Sequence, residues 1–211
     1  MVQALILREE DLPRENTPLL GPGQVAALEG PPGYGLTRVG LAELAHHARL
    51  GPVAYLDVRG WMNPLAAWEV GIPRERLVIV RCDDVVRWGR VAAALLDGVR
   101  ALYAEVPGGV KDAALRKLGA LARTRRTPLL LRPLRREVPT GIAQLRLQAR
   151  EVSWKGTEAG HGRLLGRTAT YAVSGKAVHS IPGTYELEDD GTDALRLVPG
   201  VGTAGPGRAT G

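Results

Sequence analysis

The stretch "LEGPPGYGLTRVG", Leu28 to Gly40, decides how this chain is read. Gly30 and Gly35 stand five apart and Thr37 follows two later. That is the spacing of the phosphate-binding loop G-x-x-x-x-G-K-[ST], with Gly33 as an extra glycine and Leu36 in the lysine position. Before it, "QVAALEG" is a short apolar run stopped by Gly and Pro, which predicts a buried strand. After it, "TRVGLAELAHHARL" puts Val39, Leu41, Leu44, Ala45 and Ala48 on one helical face. Strand, glycine loop and helix form the context in which backbone N–H groups converge on phosphate oxygens. Thr37 has the hydroxyl that such loops place on Mg²⁺, but Leu36 supplies no cation for the phosphates. Arg38 does not replace it, because one helix step turns it roughly 100° away.

Working outward, "GPVAYLDV", "RLVIVR", "RALYAEVP" and "TPLLLRPL" read as four further strands. Between them, "NPLAAWEVG" opens with Asn63 as N-cap and Pro64 as first helical residue. "DDVVRWGRVAAALLDGV" has acids at its start and "VKDAALRKLGALARTRR" has bases in its last turn, both favoured by the helix dipole. Strands alternating with helices over residues 24–133 predict a parallel sheet with right-handed crossovers. Beyond it the pattern changes. "AQLRLQAREVSW" alternates as a half-exposed strand, "GRLLGRTATYAVSGKAV" adds another, and "GTYELEDDGTDALRLVP" reads as a hairpin turned at "DDGTD". The expected fold is α/β, a mostly parallel sheet flanked by helices with extra C-terminal antiparallel strands. The expected division is an N-terminal arm at 1–23, a core at 24–152, a β extension at 153–199 and a flexible tail at 200–211.

The 211 residues are 45% apolar, enough for one domain with a real core. No eighteen-residue apolar run and no secretory pattern occurs, so no membrane association and a cytoplasmic location are expected. Cys82 is the single cysteine, which excludes an internal disulfide and fits a reducing compartment. The net charge of +6 rests almost wholly on arginine, since lysine occurs only at 111, 117, 155 and 176. That excess favours an acidic partner such as nucleic acid, or reflects a solvated surface in an arginine-rich proteome.

The run from Gln24 to Asp83 resembles the core of the recombinase RecA. Asp57, Asn63-Pro64, Gly71-Ile72 and the strand Leu77–Arg81 fall in that family's register within "VAYLDVRGWMNPLAAWEVGIPRERLVIVRCDD". The resemblance puts the family's catalytic glutamate at Arg59 and its Mg²⁺-associated aspartate at Glu105. Two catalytic positions are thus changed, and the third keeps only its charge. The chain after Glu105 leaves no room for the two long DNA-binding loops of a recombinase. ImuA-type proteins, truncated RecA-like cores without an intact phosphate loop, fit better over residues 20–155. "VGIPRERLVIVR", "LLDGVRALYAEVP", "ALRKLGALARTRRTPLLLRP" and "IAQLRLQAREVSW" carry that similarity. It implies a non-catalytic accessory factor of SOS mutagenesis and translesion synthesis. Its implied partners are an ImuB-like polymerase homologue and an error-prone polymerase, with RecA or a second copy engaged through the N-terminal arm. In this reading the loop, with Asp57, Arg59 and Glu105, is vestigial, and no cofactor is expected. The alternatives are a weak ATP-dependent switch using Thr37, Glu105 and Asp57, or a stand-alone DNA-binding protein.

Other residues carry weaker signals. Adjacent His46 and His47 point apart on a helix, and His161 and His179 lie in the C-terminal strands, so no metal site is expected. Cys82 reads as a small buried residue. Asp57, Asp83 and Asp84 sit where open α/β sheets place their sites, as the remnant of an old one. Arg123, Arg125, Arg126, Arg132, Arg135 and Arg136 surround the ends of the fifth strand, extended by Arg146, Arg150 and Lys155. They make a phosphate-contact surface on one side of the sheet, or a solvated helix end and loop. Trp68, Trp88 and Trp154 read as core or interface anchors. Trp61, after a loop glycine, is the tryptophan singled out for nucleic-acid or partner contact.

Overall fold

A computed structural model describes residues 19–156 and 165–175, together with the backbone of two further strands at 183–189 and 196–199. The expected arm up to residue 18, His161, His179, the "DDGTD" turn and the tail lie outside the described residues.

One nine-stranded sheet organises the chain. Its strands are β1 (Val25–Glu29), β2 (Val53–Asp57), β3 (Leu77–Arg81), β4 (Leu102–Val106), β5 (Leu129–Pro133), β6 (Leu145–Lys155), β7 (Gly166–Gly175), β8 (Gly183–Asp189) and β9 (Arg196–Pro199). They lie in the order β3-β2-β4-β5-β1-β6-β7-β8-β9. The first six are parallel and the last three antiparallel. The half-exposed strand expected within residues 143–154 is β6, which extends the parallel sheet beside β1 before it pairs antiparallel with β7. β6 does not break at the boundary expected at residues 152 and 153, and β7 pairs along its whole length.

Helices α1 (Leu36–Ala48), α2 (Pro64–Glu69), α3 (Val85–Gly98) and α4 (Asp112–Arg125) cover both faces. Central strands buried on both faces read as unbroken apolar runs, and β1, β2 and β4 are buried at every position. Successive side chains then serve opposite layers. Leu28, Tyr55, Tyr103 and Leu130 face α1 and α2, while Ala27, Leu56, Leu102 and Leu131 face α3 and α4. The same alternation carries Asp57, Glu105 and Arg132 to the α1 side at the strands' C-terminal ends.

The helix boundaries follow local chemistry. Asn63 caps α2 by accepting from the Leu65 N–H at 3.0 Å, with Pro64 in the first turn. Asp84 caps α3 by accepting from Val86 and Arg87. The buried carboxylate of Glu43 in α1 accepts the N–H groups of Leu19 and Leu20, at 2.8 and 3.0 Å, and a contact from His47. Leu20 therefore already belongs to the core, inside the segment expected as an arm.

Gly40 lets α1 lie directly on β4, because an added Cβ would come within 2.1 Å of the Tyr103 ring. Gly40→Ala should lower the free energy of unfolding by about 1–3 kcal/mol. Urea denaturation with an unchanged m-value checks this, and wild-type stability would refute the close fit.

Candidate functional site

The glycine loop after β1 curls at three glycines and has Leu36 where a phosphate loop has lysine. Gly30, Gly33 and Gly35 take φ of 146°, 89° and 75°, the region glycine tolerates, so the chain curls into the start of α1. Gly30 also has no room for a side chain, since a Cβ would meet Ala149 of β6 at 2.5 Å. Leu36 turns inward and is 2% exposed, packed with the α1-side core. Thr37 stays at the surface of a cleft of about 430 Å³ that the loop forms with the segment after β2.

Beside that cleft, Arg59 and Glu105, to which the RecA resemblance gives its catalytic glutamate and its Mg²⁺-associated aspartate, meet each other. Arg59 donates to Glu105 Oε1 through Nε at 2.9 Å and through Nη2. Tyr55 donates its hydroxyl to the same oxygen at 3.0 Å. The backbone N–H groups of Val58 and Arg59 donate to Oε2 at 3.0 and 3.1 Å. Both oxygens of this fully buried carboxylate are thus engaged by the chain itself. Burial alone would raise the Glu105 pKa. The Arg59 side chain and the Arg59 and Val58 N–H groups outweigh it and hold the carboxyl below its ordinary value. For Arg59, burial works against the charge, and the bonds to Glu105 win and raise the pKa. Tyr55 and Tyr103 stack behind the pair with centroids 4.6 Å apart. Burial pushes the Tyr103 phenol up to about 12, against the opposing pull of Arg132 and Thr37.

Asp57 is buried and shapes the next loop, accepting from Gly60 at 2.8 Å, Trp61 at 3.3 Å and Met62 at 3.2 Å. Asp84 is occupied as a helix cap and Asp83 is exposed, so the three aspartates do not gather. Among the described residues no three His, Cys, Asp or Glu side chains group closely enough to hold a metal ion. Cys82 is half-buried rather than buried, beside the Asp84 carbonyl. His47 contacts Glu43, and burial lowers the His46 pKa.

The basic set is divided rather than gathered. A crossover helix runs back against its strands, so Arg123, Arg125 and Arg126 at the end of α4 lie at the opposite sheet edge from Arg132, Arg135 and Arg136. Arg125 pairs with Asp97 at 2.6 Å, and Arg126 closes α4 in a left-handed conformation. Arg132 is 4% exposed and donates to the carbonyls of Leu28 at 3.1 Å and Gly30 at 2.6 Å, pinning the loop from below. Burial lowers its pKa. Arg146 is bound to the buried Glu29 and the Val138 carbonyl, and Arg136 to Asp112 and the Val110 carbonyl. Arg135, Arg150 and Lys155 are exposed.

The tryptophans separate in the same way. Trp88 is buried and donates to the Glu105 carbonyl at 2.7 Å, and Trp68 lies under Arg74. Trp61 is 68% exposed and Trp154 45%. Arg59 lies over the Trp61 ring at 4.6 Å and Arg167 over Trp154 at 5.4 Å. Arg167, which the sequence did not single out, also donates to the Gly33 carbonyl at 3.3 Å. Its place follows from strand register, as Trp154 opposite Arg167, a signal that local patterning does not contain.

Fold and site together define an α/β domain built around a glycine-rich strand-to-helix loop and a sealed carboxylate. Residues 18–137, more than half of the chain, match the family model described as MT3502 N-terminal domain, and the chain belongs to that family. No curated protein matches it. Among the described residues no helix is long and apolar enough to cross a membrane.

Removing one partner of a buried ion pair leaves an uncompensated charge, so Arg59→Ala should destabilise the fold by about 3–5 kcal/mol. Because the folded pKa of Glu105 is depressed, its stabilisation is present at neutral pH and above. It is lost as pH falls through the ordinary carboxylate range to the lower folded value. Chemical denaturation as a function of pH should show a shallower acid-side loss for Glu105→Gln than for wild type, and parallel slopes would contradict the assignment.

Proposed function

We propose that this protein is a non-catalytic, RecA-like accessory factor of DNA damage tolerance, of the ImuA type, that works by binding a polymerase-like partner in the cytoplasm. The observation that carries the reading is the internal pairing of Arg59 with Glu105 beside a buried Leu36. A nucleotide-hydrolysing core needs a free carboxylate to organise metal and water and a cation on the transferred phosphate. Here the carboxylate at the metal position is saturated by five donor contacts. The lysine position is filled by an apolar side chain that is part of the core. The role in mutagenesis and the partners rest on the sequence resemblance to ImuA-type proteins.

A second reading, a weak nucleotide-binding switch, is favoured by one observation. The loop glycines keep their curled conformation, with Thr37 at the cleft wall. Two measurements separate the readings. Calorimetry with ATP and Mg²⁺ should give no binding heat at micromolar protein, and micromolar binding weakened by Thr37→Ala would sink the non-catalytic reading. In cells, the Thr37→Ala chain should support damage-induced mutagenesis as well as wild type, whereas loss of that activity would favour the switch.

A further inference from the structure

We propose that β3, the strand at the open edge of the sheet, pairs antiparallel with β3 of a second copy of this chain and makes a two-fold dimer with one continuous sheet. The strand itself makes the contact, not the N-terminal arm, and the inference does not depend on the reading above.

The backbone is the first observation. β3 begins the strand order and pairs only with β2 among the described residues. The Cys82 N–H reaches the Asp57 carbonyl of β2 at 3.0 Å. Backbone groups alternate sides along a strand, so Val80 and Val78 also turn theirs to β2. Leu77, Ile79 and Arg81 turn theirs to the outer side. The Leu77 N–H is taken by the Arg74 carbonyl. The Leu77 carbonyl, both groups of Ile79 and the Arg81 N–H stay open on that edge among the described residues, the kind of edge that pairs with another strand. A two-fold axis through Ile79 sets this residue against itself and Leu77 against Arg81. Each open group then faces a complement, and about four hydrogen bonds close the ladder.

The side chains are the second observation. Val78 is 39% exposed inside the apolar run LVIV, while Val80 packs partly on the α3 and α4 layer. In the paired sheet Val78 lies beside the second copy's Val80, a close cross-strand position suited to β-branched residues. On the other face Ile79 meets its own copy, and the aliphatic stem of Arg81 covers Leu77. Charge then selects the occupant. Arg74, Glu75 and Arg76 precede the strand, and Asp83 and Asp84 follow it. Arg74 lies over Trp68, and Arg76 donates to the carbonyls of Ala48 and Arg49. Neither has a carboxylate within ion-pair distance among the described residues. Asp83 is exposed, and Arg81 at the acidic end is already drawn to Asp57 at 3.8 Å. Antiparallel pairing of identical strands sets each basic flank beside an acidic one. Parallel pairing would set like flanks together. Such a contact uses the same patch on both chains, so it closes at two.

The test is sedimentation equilibrium of the full chain between about 1 and 100 µM, spanning micromolar dissociation. The mass is expected to rise from one 22.5 kDa chain toward two and to stop there. Val78→Lys puts a charge beside the second copy's Val80. Arg81→Pro removes an outward N–H and leaves the ladder to β2 whole, a place where an edge strand tolerates proline. Each should weaken the dimer by about tenfold or more. Asp83→Arg should weaken it less, and the double variant Asp83→Arg, Arg74→Asp should recover it, because each flank again meets its opposite. Circular dichroism checks that the variants fold, and if Arg81→Pro does not, the other variants decide. A single chain at every concentration would overturn the proposal, as would a mass that grows past two chains, the mark of head-to-tail assembly. A dimer unmoved by Val78→Lys would also overturn it, and a double variant no tighter than Asp83→Arg would overturn the antiparallel register.

Discussion

The ion pair between Arg59 and Glu105 is the constraint around which the C-terminal edge of the sheet is arranged. Glu105 lies at the end of a central strand with no exposed surface, where an unpaired carboxylate would be costly. It stays charged because donors converge on both oxygens. Those donors come from β2 and from the loop that follows it, so the charge ties that loop to β4. Asp57 completes the arrangement by gathering the next three N–H groups. The loop that presents Trp61 is therefore held at its base by two buried carboxylates. The hold at that point combines an ion pair with hydrogen bonds to the backbone.

The glycine loop is tied to the same end of the sheet. Leu36 of that loop is packed in the core and aims no cation into the cleft. The loop's carbonyls are bound from beneath by Arg132 and from the side by Arg167. Gly30 is required by the approach of Ala149, a neighbour from the sixth strand, as much as by the turn itself. The loop is a joint between the parallel core and the antiparallel β6–β7 arm, and Tyr171 of that arm donates to the Tyr34 carbonyl.

The sequence made the core legible because its periodicities are local. Five apolar runs and four amphipathic segments, with Asn63-Pro64 and Asp84 at helix starts, are visible in windows of about ten residues. What stayed hidden depends on pairing across the chain. Arg59 and Glu105 were each legible as altered positions, but nothing local says that one neutralises the other across 46 residues. The arginine run looked like one patch because strand β5 is short. The direction of α4 sends its two halves to opposite edges, and Arg132 and Arg146 are consumed by buried carbonyls and Glu29. Arg167 reaches the cleft only through the register of β7 on β6.

These two results bear on each other. The donors on Glu105 come from the chain itself, and no carboxylate lines the cleft. Arg132 is directed at backbone carbonyls, which orient its guanidinium without an ionic partner among the described residues. The Arg59 that seals Glu105 also lies over the exposed Trp61 ring. One side chain thus links the closed interior to the open surface. A change that removed Arg59 would free Glu105 and uncover the Trp61 ring together.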